Sequence, residues 1–185
     1  MNKIILASQS PRRKELLGML DIPFDIIVAN IDEKIDYNNN LVDEIKKLSF
    51  QKAKAVFDDH QNDIVIGADT IVYIDNEVLG KPKTIDNAKE MLHKLSGRTH
   101  QVVTGVTIIS KDKTDTFASI TDVTFYELTD EEINNYVDSV EPLDKAGAYA
   151  IQGKGSEFVK GINGDYYTVV GLPIAELYRH LKEFK

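Results

Sequence analysis

The fold is decided near the N-terminus by Ile4-Ile5-Leu6-Ala7-Ser8-Gln9-Ser10-Pro11-Arg12-Arg13-Lys14, which joins a buried strand to a helix. The first four residues form a short apolar run that is typical of a buried strand. Ser10 is a favourable N-cap, and Pro11 fits the first helical position, where its missing N–H costs nothing. Two serine hydroxyls and three cationic side chains therefore surround a helix N-terminus, whose free N–H groups attract anions. The stretch predicts a phosphate-binding turn.

The overall composition limits which classes of ligand or partner this turn can bind. The 185 residues carry a formal net charge of −8, so the positive field must be local, and a nucleic-acid partner is not expected. The absence of cysteine rules out disulfides, thiolate metal sites and a catalytic thiol. The sequence contains no apolar run long enough to cross a membrane and no signal-peptide core, so we expect a cytoplasmic protein without a membrane partner.

Strands and helices alternate along the rest of the chain. Asp75-Asn76 is typical of a two-residue hairpin turn, and Thr129 with Glu132 forms a capping-box pattern. Long hairpins in an alternating chain favour an α/β fold with a mixed sheet. The predicted strands are 4–7, 24–29, 63–74 (interrupted at Gly67-Ala68-Asp69-Thr70), 77–80, 101–109 and 114–125; the predicted helices are 10–20, 41–60, 84–95, 129–139 and 173–184; residues 30–40 are predicted to be a loop, and 143–171 a mixture of short strands and turns.

Asp69 is the sharpest candidate for chemistry. It follows the apolar run at 64–68, and a carboxylate in such surroundings must be paired, hydrogen-bonded or metal-bound. A structural aspartate that stabilises a turn is the alternative, and the local sequence gives the two interpretations about equal weight. Gly67 and Ala68 favour function, because small residues let a ligand approach the backbone.

Other candidates surround this residue in the sequence. Asp32-Glu33 lies in a polar loop and, together with Asp69, would offer an all-oxygen site for Mg²⁺ or Mn²⁺; solvated loop acids are the alternative. Lys81 is constrained between Gly80 and Pro82, which favours a functional role. The segment 144–155 is rich in small residues, which would let a base or sugar approach its backbone unless it is simply a tight loop. No P-loop, dinucleotide fingerprint or histidine zinc motif is present in the sequence.

Several of these motifs occur in the order seen in the Maf family of nucleoside-triphosphate pyrophosphatases, which the chain resembles over essentially its whole length. The motifs are Ser8-x-Ser10-Pro11-Arg12-Arg13, Gly67-Ala68-Asp69-Thr70, Leu79-Gly80-Lys81-Pro82, Ser96-Gly97-Arg98 and Asp144-Lys145-Ala146-Gly147…Gln152-Gly153. The resemblance implies one domain over 1–185, similar in fold to the inosine-triphosphate pyrophosphatases: an elongated mixed sheet flanked by helices, with two lobes around a cleft.

The resemblance also implies roles for individual residues. Asp69 matches the family's proton acceptor and, with Glu33, binds a divalent cation, Mg²⁺ or Mn²⁺. The residues that match the family's phosphate- and metal-handling positions are Ser8, Arg12, Arg13, Glu33, Lys52 and Lys81. Arg12, Thr70 and Gln152 resemble the subgroup that hydrolyses dTTP and UTP to the monophosphate and pyrophosphate. A homodimer is plausible on the same resemblance.

The side chains at two of these positions suit a pyrimidine. Gln152 offers donors and an acceptor and Thr70 a hydroxyl, which together match the carbonyl and N–H edge shared by thymine and uracil. No reader of the 5-methyl group or the 2′-OH is evident, so we expect both nucleotides to be accepted. The alternatives are the same reaction on a modified purine triphosphate such as 7-methyl-GTP, and a non-catalytic nucleotide-binding regulator of cell division.

Overall fold

A computed structural model describes residues 2–32, 35–36, 39–139 and 141–184. The described residues form one mixed sheet with six α-helices, which confirms the predicted α/β class. The strands are β1 (Ile4–Leu6), β2 (Phe24–Ile26), β3 (Ile64–Ile74), β4 (Glu77–Leu79), β5 (Thr99–Ile109), β6 (Thr114–Phe125) and β7 (Val159–Asn163); the helices are α1 (Pro11–Gly18), α2 (Leu41–Phe57), α3 (Ile85–Leu95), α4 (Asp130–Val137), α5 (Tyr166–Val170) and α6 (Ile174–Leu181).

The sheet contains both parallel and antiparallel pairs. Its strand order is β2-β1-β3-β5-β6-β7, with β4 pairing β3 away from this path. The strand β1 runs parallel to both β2 and β3, whereas β3–β4 and β6–β7 are antiparallel. The tight turn between β3 and β4 is the predicted one, since Asp75 and Asn76 have φ of 52° and 60°, the left-handed values that a type I′ hairpin requires.

The chain divides into two compact units, each with its own core. The first contains the residues up to Thr70, together with Thr104–Ser119 and the residues from Gly171 onward. One cluster of its core is formed by side chains from β1 and the residue after it, α2, β3 and β5: Ile5, Ala7, Ala53, Val56, Val65 and Ile109. The second unit contains Ile71–Val103 and Ile120–Val170. Phe125, Tyr136, Tyr149 and Phe158 form an aromatic group in its core.

Local capping signals are confirmed where they were predicted. Ser10 caps α1 by accepting from the Arg13 N–H, and Pro11 is the first helical residue. Thr129 and Glu132 form the reciprocal capping box of α4. Gly97 has φ +68°, which suits the predicted stop after α3.

Several predicted boundaries are wrong. The helices expected over 10–20 and 41–60 end at Gly18 and Phe57, because three-residue turns replace helical bonds beyond those points, for example Leu20 N–H to Leu17 O and His60 N–H to Phe57 O. The strand β2 ends at Ile26 instead of 29. The interruption expected in 63–74 does not occur, since β3 runs unbroken from Ile64 to Ile74.

The last third of the chain also differs from expectation. The segment 143–171 contains 3₁₀ turns, one strand (β7) and a short helix (α5), instead of several short strands. The final helix begins at Ile174 after Pro173 and ends at Leu181, and a 3₁₀ turn follows it. None of the helices in the described ranges is long and apolar enough to cross a bilayer.

Candidate active site

Strand register brings two of the sequence motifs together in the first unit. Leu6 of β1 pairs in parallel with Ile66 of β3, and the Ala7 N–H donates to the Ile66 carbonyl over 2.8 Å. The turn that starts at Ser8 therefore lies beside the residues that follow Ile66 on β3, including Asp69. The turn lies at the carboxyl end of β1, which is where ligands of open α/β sheets bind, and Asp69 lies within β3 just beyond its parallel pairing with β1.

Arg13 connects this turn to β3 and to the C-terminal segment by hydrogen bonds. Its Nη2 donates to Thr70 Oγ1 over 3.0 Å, and its Nε donates to the Gly171 carbonyl over 2.8 Å. Its Nη1 lies 3.5 Å from Ser8 Oγ, which it approaches as a donor. Gly171 has φ +128°, a conformation that a residue with a side chain rarely adopts. Arg13 is thus a cation whose direction is fixed by protein acceptors.

The hydroxyls of Ser8 and Thr70 are both engaged by these contacts. Ser8 is buried, and its Oγ accepts from the Ser10 N–H (3.2 Å) and from Arg13. Its own O–H hydrogen is left to donate, which suits a phosphate oxygen. Thr70 Oγ1 accepts from Arg13 and lies 2.8 Å from Thr104 Oγ1. Two of the hydrogen-bonding positions of the Thr70 hydroxyl are therefore used within the first unit.

The helix α2 lies in direct backbone contact with β3 and β5 because both strands have a glycine there. A Cβ at Gly67 would meet the Ser49 carbonyl oxygen at 2.5 Å and the Ala53 nitrogen at 2.6 Å. A Cβ at Gly105 would meet the Ile45 carbonyl oxygen at 2.6 Å. The expectation that Gly67 leaves room for a ligand is therefore wrong, since the helix backbone fills that space.

This close approach places a lysine against the candidate base. Residues two apart on a strand share a face, so Asp69 points to the same side as Gly67, towards α2. Lys52 of α2 donates to Asp69 Oδ1 over 2.6 Å. The side chains are only 11% and 15% exposed, so this ion pair is largely removed from water. Asp69 therefore does not stabilise a turn, as the structural alternative required; it is a paired carboxylate inside a strand.

Arg12 differs from its neighbour. It is half-buried and makes no hydrogen bond or ion pair with the residues that the structure describes. Its five N–H donors are available for an anion, whereas those of Arg13 are largely committed to protein oxygens. Of the two predicted phosphate-binding arginines, Arg12 is the one with free binding capacity.

Comparison with known proteins gives the same family as the motifs. The model of the family described as Maf-like protein matches residues 3–184. The chain belongs to the Maf-like family. A protein of Bacillus mycoides and one of Bacillus cereus, both named dTTP/UTP pyrophosphatase, are each 60% identical to it over 184 residues, covering 100% of this chain and 96% of the relative.

A solved structure confirms the predicted fold. The Ham1 protein of Staphylococcus aureus superposes with a TM-score of 0.55 at 16% identity, covering 100% of both chains. At that identity the similarity concerns the architecture alone.

The remaining predicted residues of this Maf-like chain lie elsewhere. Glu33 is outside the described residues. Lys81 follows β4 in the second unit and is exposed, with no hydrogen bond or ion pair to the described residues. Gln152 is exposed in the same unit, in a turn after the 3₁₀ segments. No group of three or more acidic or histidine side chains suited to a metal occurs among residues 2–32, 35–36, 39–139 and 141–184.

The small residues of 144–155 pack within their own unit. A Cβ at Gly147 would meet Val72 Cγ atoms at 3.0 Å, and one at Gly155 would meet the Ala150 carbonyl oxygen at 2.8 Å. These two glycines therefore serve a tight loop, the alternative considered from the sequence. The Gly147 N–H donates to the Gly80 carbonyl over 3.1 Å, which joins this motif to the one that carries Lys81.

Sequence reasoning missed three residues that shape the site. Gly105 admits α2, Gly171 accepts from Arg13, and Thr104 supports Thr70. Gly171 lies 158 residues from Arg13 in the sequence, so no local pattern could link them. The only available signal was a glycine in the middle of β5, where glycine is unfavourable unless a backbone approaches closely.

Proposed function

We propose that this Maf-like protein hydrolyses dTTP and UTP to the nucleoside monophosphate and pyrophosphate. The observation that carries the proposal is the half-buried Lys52–Asp69 ion pair beside the turn that Arg13 fixes. Full-length relatives at 60% identity that are named dTTP/UTP pyrophosphatase support the choice of substrate. No structural feature favours a modified purine or a purely regulatory role.

Asp69 accepts the proton of the attacking water. Lys52 occupies Oδ1 over 2.6 Å, which orients the carboxylate and leaves Oδ2 for that proton. Water attacks the α-phosphorus, the bond from that phosphorus to the bridging oxygen breaks, and pyrophosphate leaves. If this assignment holds, oxygen-18 from labelled water appears in the monophosphate and not in pyrophosphate.

Cationic groups balance the charge of the triphosphate. Arg12 contributes a bidentate fork, and the Ser8 hydroxyl donates one hydrogen bond. Arg13 holds this surface in place and adds its positive field. On the family resemblance, Lys81 supplies a further point charge for the phosphates.

The carboxylates proposed for this site are ligands of the kind that a divalent cation prefers. Mg²⁺ is commonly held by one or two carboxylates together with substrate phosphates. Asp69 would bind it, and Glu33 would be the second carboxylate on the family resemblance. Such a cation, Mg²⁺ or Mn²⁺, supplies polarisation of the α-phosphate and a lower pKa for the attacking water.

Base recognition is assigned to Gln152 and Thr70. The exposed Gln152 amide pairs with the carbonyl and N–H edge of uracil or thymine. Thr70 contributes less to direct recognition than the sequence implied, because its hydroxyl already contacts Arg13 and Thr104. Neither residue distinguishes the 5-methyl group or the 2′-OH, so both dTTP and UTP are substrates.

A panel of triphosphates with a pyrophosphate readout tests the proposal, with Mg²⁺ or Mn²⁺ present. Asp69→Asn keeps the hydrogen bond to Lys52 and should lower kcat by about 10³-fold or more while nucleotide binding persists. Asp122→Asn is the matched control, a strand aspartate that accepts from Gln101 over 3.1 Å. If wild-type protein binds nucleotides but releases no pyrophosphate, the regulator alternative replaces the enzyme.

Two further expectations stay predictions. A homodimer is proposed on the family resemblance, and a cytoplasmic location is proposed for the enzyme. Sedimentation of the purified chain and fractionation of cells test them.

A further inference from the structure

A buried histidine–tyrosine pair in the second unit takes no part in the proposed chemistry. His100 is 1% exposed, and its Nε2 lies 2.7 Å from the Tyr149 hydroxyl. The imidazole ring meets Phe125 and Tyr149 edge-on, with ring centroids 5.0 and 5.4 Å apart. The pair therefore lies inside the aromatic core of this unit.

This pair is a poor choice if stability alone matters. The other imidazole nitrogen, Nδ1, is buried and has no hydrogen-bond partner among the described residues. Burial lowers the pKa of His100 to about 4, so the ring is neutral at pH 7. A buried polar atom without a partner costs free energy, whereas an apolar side chain of similar size would avoid that cost. What the histidine adds is a directed bond to one tyrosine.

Tyr149 lies in a short segment whose backbone is held at several points, the 147–153 segment. The Gly147 N–H donates to the Gly80 carbonyl over 3.1 Å, and the Ala150 N–H donates to the Tyr136 hydroxyl over 3.3 Å. Ala148 has φ 63°, a left-handed conformation that a non-glycine residue adopts only when its surroundings hold it there. The segment is thus a fixed conformation maintained by its anchors.

The 147–153 segment carries one exposed side chain of chemical interest. Gln152 lies three residues after Tyr149, and the Gly153 N–H closes the turn on the Ala150 carbonyl over 3.1 Å. A shift of the Tyr149 ring would therefore change where the Gln152 amide points. The contact between His100 and Tyr149 and the exposed Gln152 amide are therefore linked through the 147–153 segment.

We infer that His100 is a positioning residue for base recognition: through the Tyr149 hydroxyl it fixes the 147–153 segment and so the Gln152 amide. The inference rests on the proposed function, in which Gln152 reads the pyrimidine edge. A misplaced amide weakens uracil and thymine recognition without removing any group that touches the phosphates. His100 itself touches no substrate.

The test is a set of variants measured on UTP and CTP, whose bases differ at the edge that Gln152 reads. His100→Leu with Tyr149→Phe replaces both polar partners by apolar groups, so thermal stability should stay near or above the wild-type value. The KM for UTP should nevertheless rise about tenfold, and the UTP-over-CTP ratio of kcat/KM should fall, with kcat changed less than about twofold. The single variant Tyr149→Phe should show the same KM change with lower stability.

Two controls separate this role from general destabilisation. Val123→Ala removes methyl groups from the same core, so it should lower the melting temperature without changing the UTP-over-CTP ratio. Gln152→Ala should reproduce the selectivity loss of the double variant. If Gln152→Ala has no effect on selectivity, the base-reading assignment in the proposed function is wrong.

If Gln152→Ala acts but the folded double variant keeps wild-type KM and selectivity, the inference about His100 alone is overturned. A double variant that fails to fold would contradict the expected stability and also count against it. In that case the KM for UTP and the UTP-over-CTP ratio are measured on Tyr149→Phe, which retains the aromatic core.

Discussion

The two units place their functional side chains by different physical means. In the first unit, a helix lies directly against strand backbone, and the proposed base, Asp69, is paired with Lys52 on regular secondary structure. In the second, the 147–153 segment is held by uncharged hydrogen bonds to an aromatic core, and Gln152, the side chain proposed to recognise the base, is exposed. The Asp69 carboxylate is only 15% exposed and is fixed by an ion pair, whereas the Gln152 amide is exposed and only the backbone around it is anchored.

This difference shows what each unit is sensitive to. Charge placement in the first unit depends on how closely α2 approaches β3, so steric changes there should alter both stability and chemistry. Recognition in the second unit depends on neutral hydrogen bonds, so isosteric changes there should alter affinity more than turnover. Variants at Gly67, His100 and Arg13 test whether the two units differ in this way.

The largest stability effect is expected for Gly67→Ala. The new Cβ would meet backbone atoms of Ser49 and Ala53 at 2.5 and 2.6 Å, so the helix must move. We expect a loss of about 3 kcal/mol in unfolding free energy and a large loss of kcat, because Lys52 moves with the helix. Urea unfolding and steady-state kinetics measure both.

Gly18→Ala is the matched control, since a Cβ there has nothing within 4 Å. It should leave stability and turnover near wild-type values. If Gly67→Ala proves equally harmless, close packing is not what places Lys52.

Acid should destabilise the second unit through His100. Burial lowers the pKa of His100 in the folded protein to about 4 from its ordinary value of 6.5, so between these pH values the unfolded chain binds more protons. Unfolding free energy therefore falls as pH drops from about 6.5 to 4, by about 3 kcal/mol if the whole shift is expressed. Denaturation at a series of pH values measures this slope.

The His100→Leu, Tyr149→Phe double variant isolates the histidine from the carboxylates that also titrate in acid. Its stability should fall less steeply over the same pH window. Parallel slopes for wild type and double variant would mean that His100 is not the group responsible.

The adjacent arginines give the next contrast. Arg13→Lys should cost about 2 kcal/mol of stability, because one ammonium cannot reproduce the fork that reaches Thr70 and Gly171. Arg12→Lys should cost less than about 0.5 kcal/mol, since Arg12 has no described partner, but should weaken triphosphate binding. Equal stability losses would contradict the assignment of separate structural and binding roles.

Sequence reasoning succeeded where the determinants are local. The strand-to-helix turn at Ser8–Arg13, the hairpin at Asp75-Asn76 and the capping box at Thr129 all follow from the residue types themselves. The local sequence singles out Asp69, the family resemblance adds Lys52, and the structure brings the two side chains into contact. Local chemistry therefore specifies where these turns and helix starts lie.

Sequence reasoning failed where the determinant is a distant contact. The small size of Gly67 predicts room for a ligand, but the backbone of α2 fills that space. The Arg13–Gly171 bond and the His100–Tyr149 bond join residues that no periodicity relates. The predicted helix ends are wrong because hydrogen bonds between residues three apart follow the last helical residue, so the chain turns without continuing the α-helix.

The smallest expected effect concerns Lys81 in the second unit. Its ammonium has no described partner, so Lys81→Gln should change stability by less than about 0.5 kcal/mol. Loss of one phosphate-directed charge should weaken triphosphate affinity about tenfold and reduce the dependence of KM on salt. Lys83→Gln is the matched control, an exposed lysine two residues away. A similar loss for both variants would mean that general positive charge, and not the position fixed between Gly80 and Pro82, attracts the phosphates.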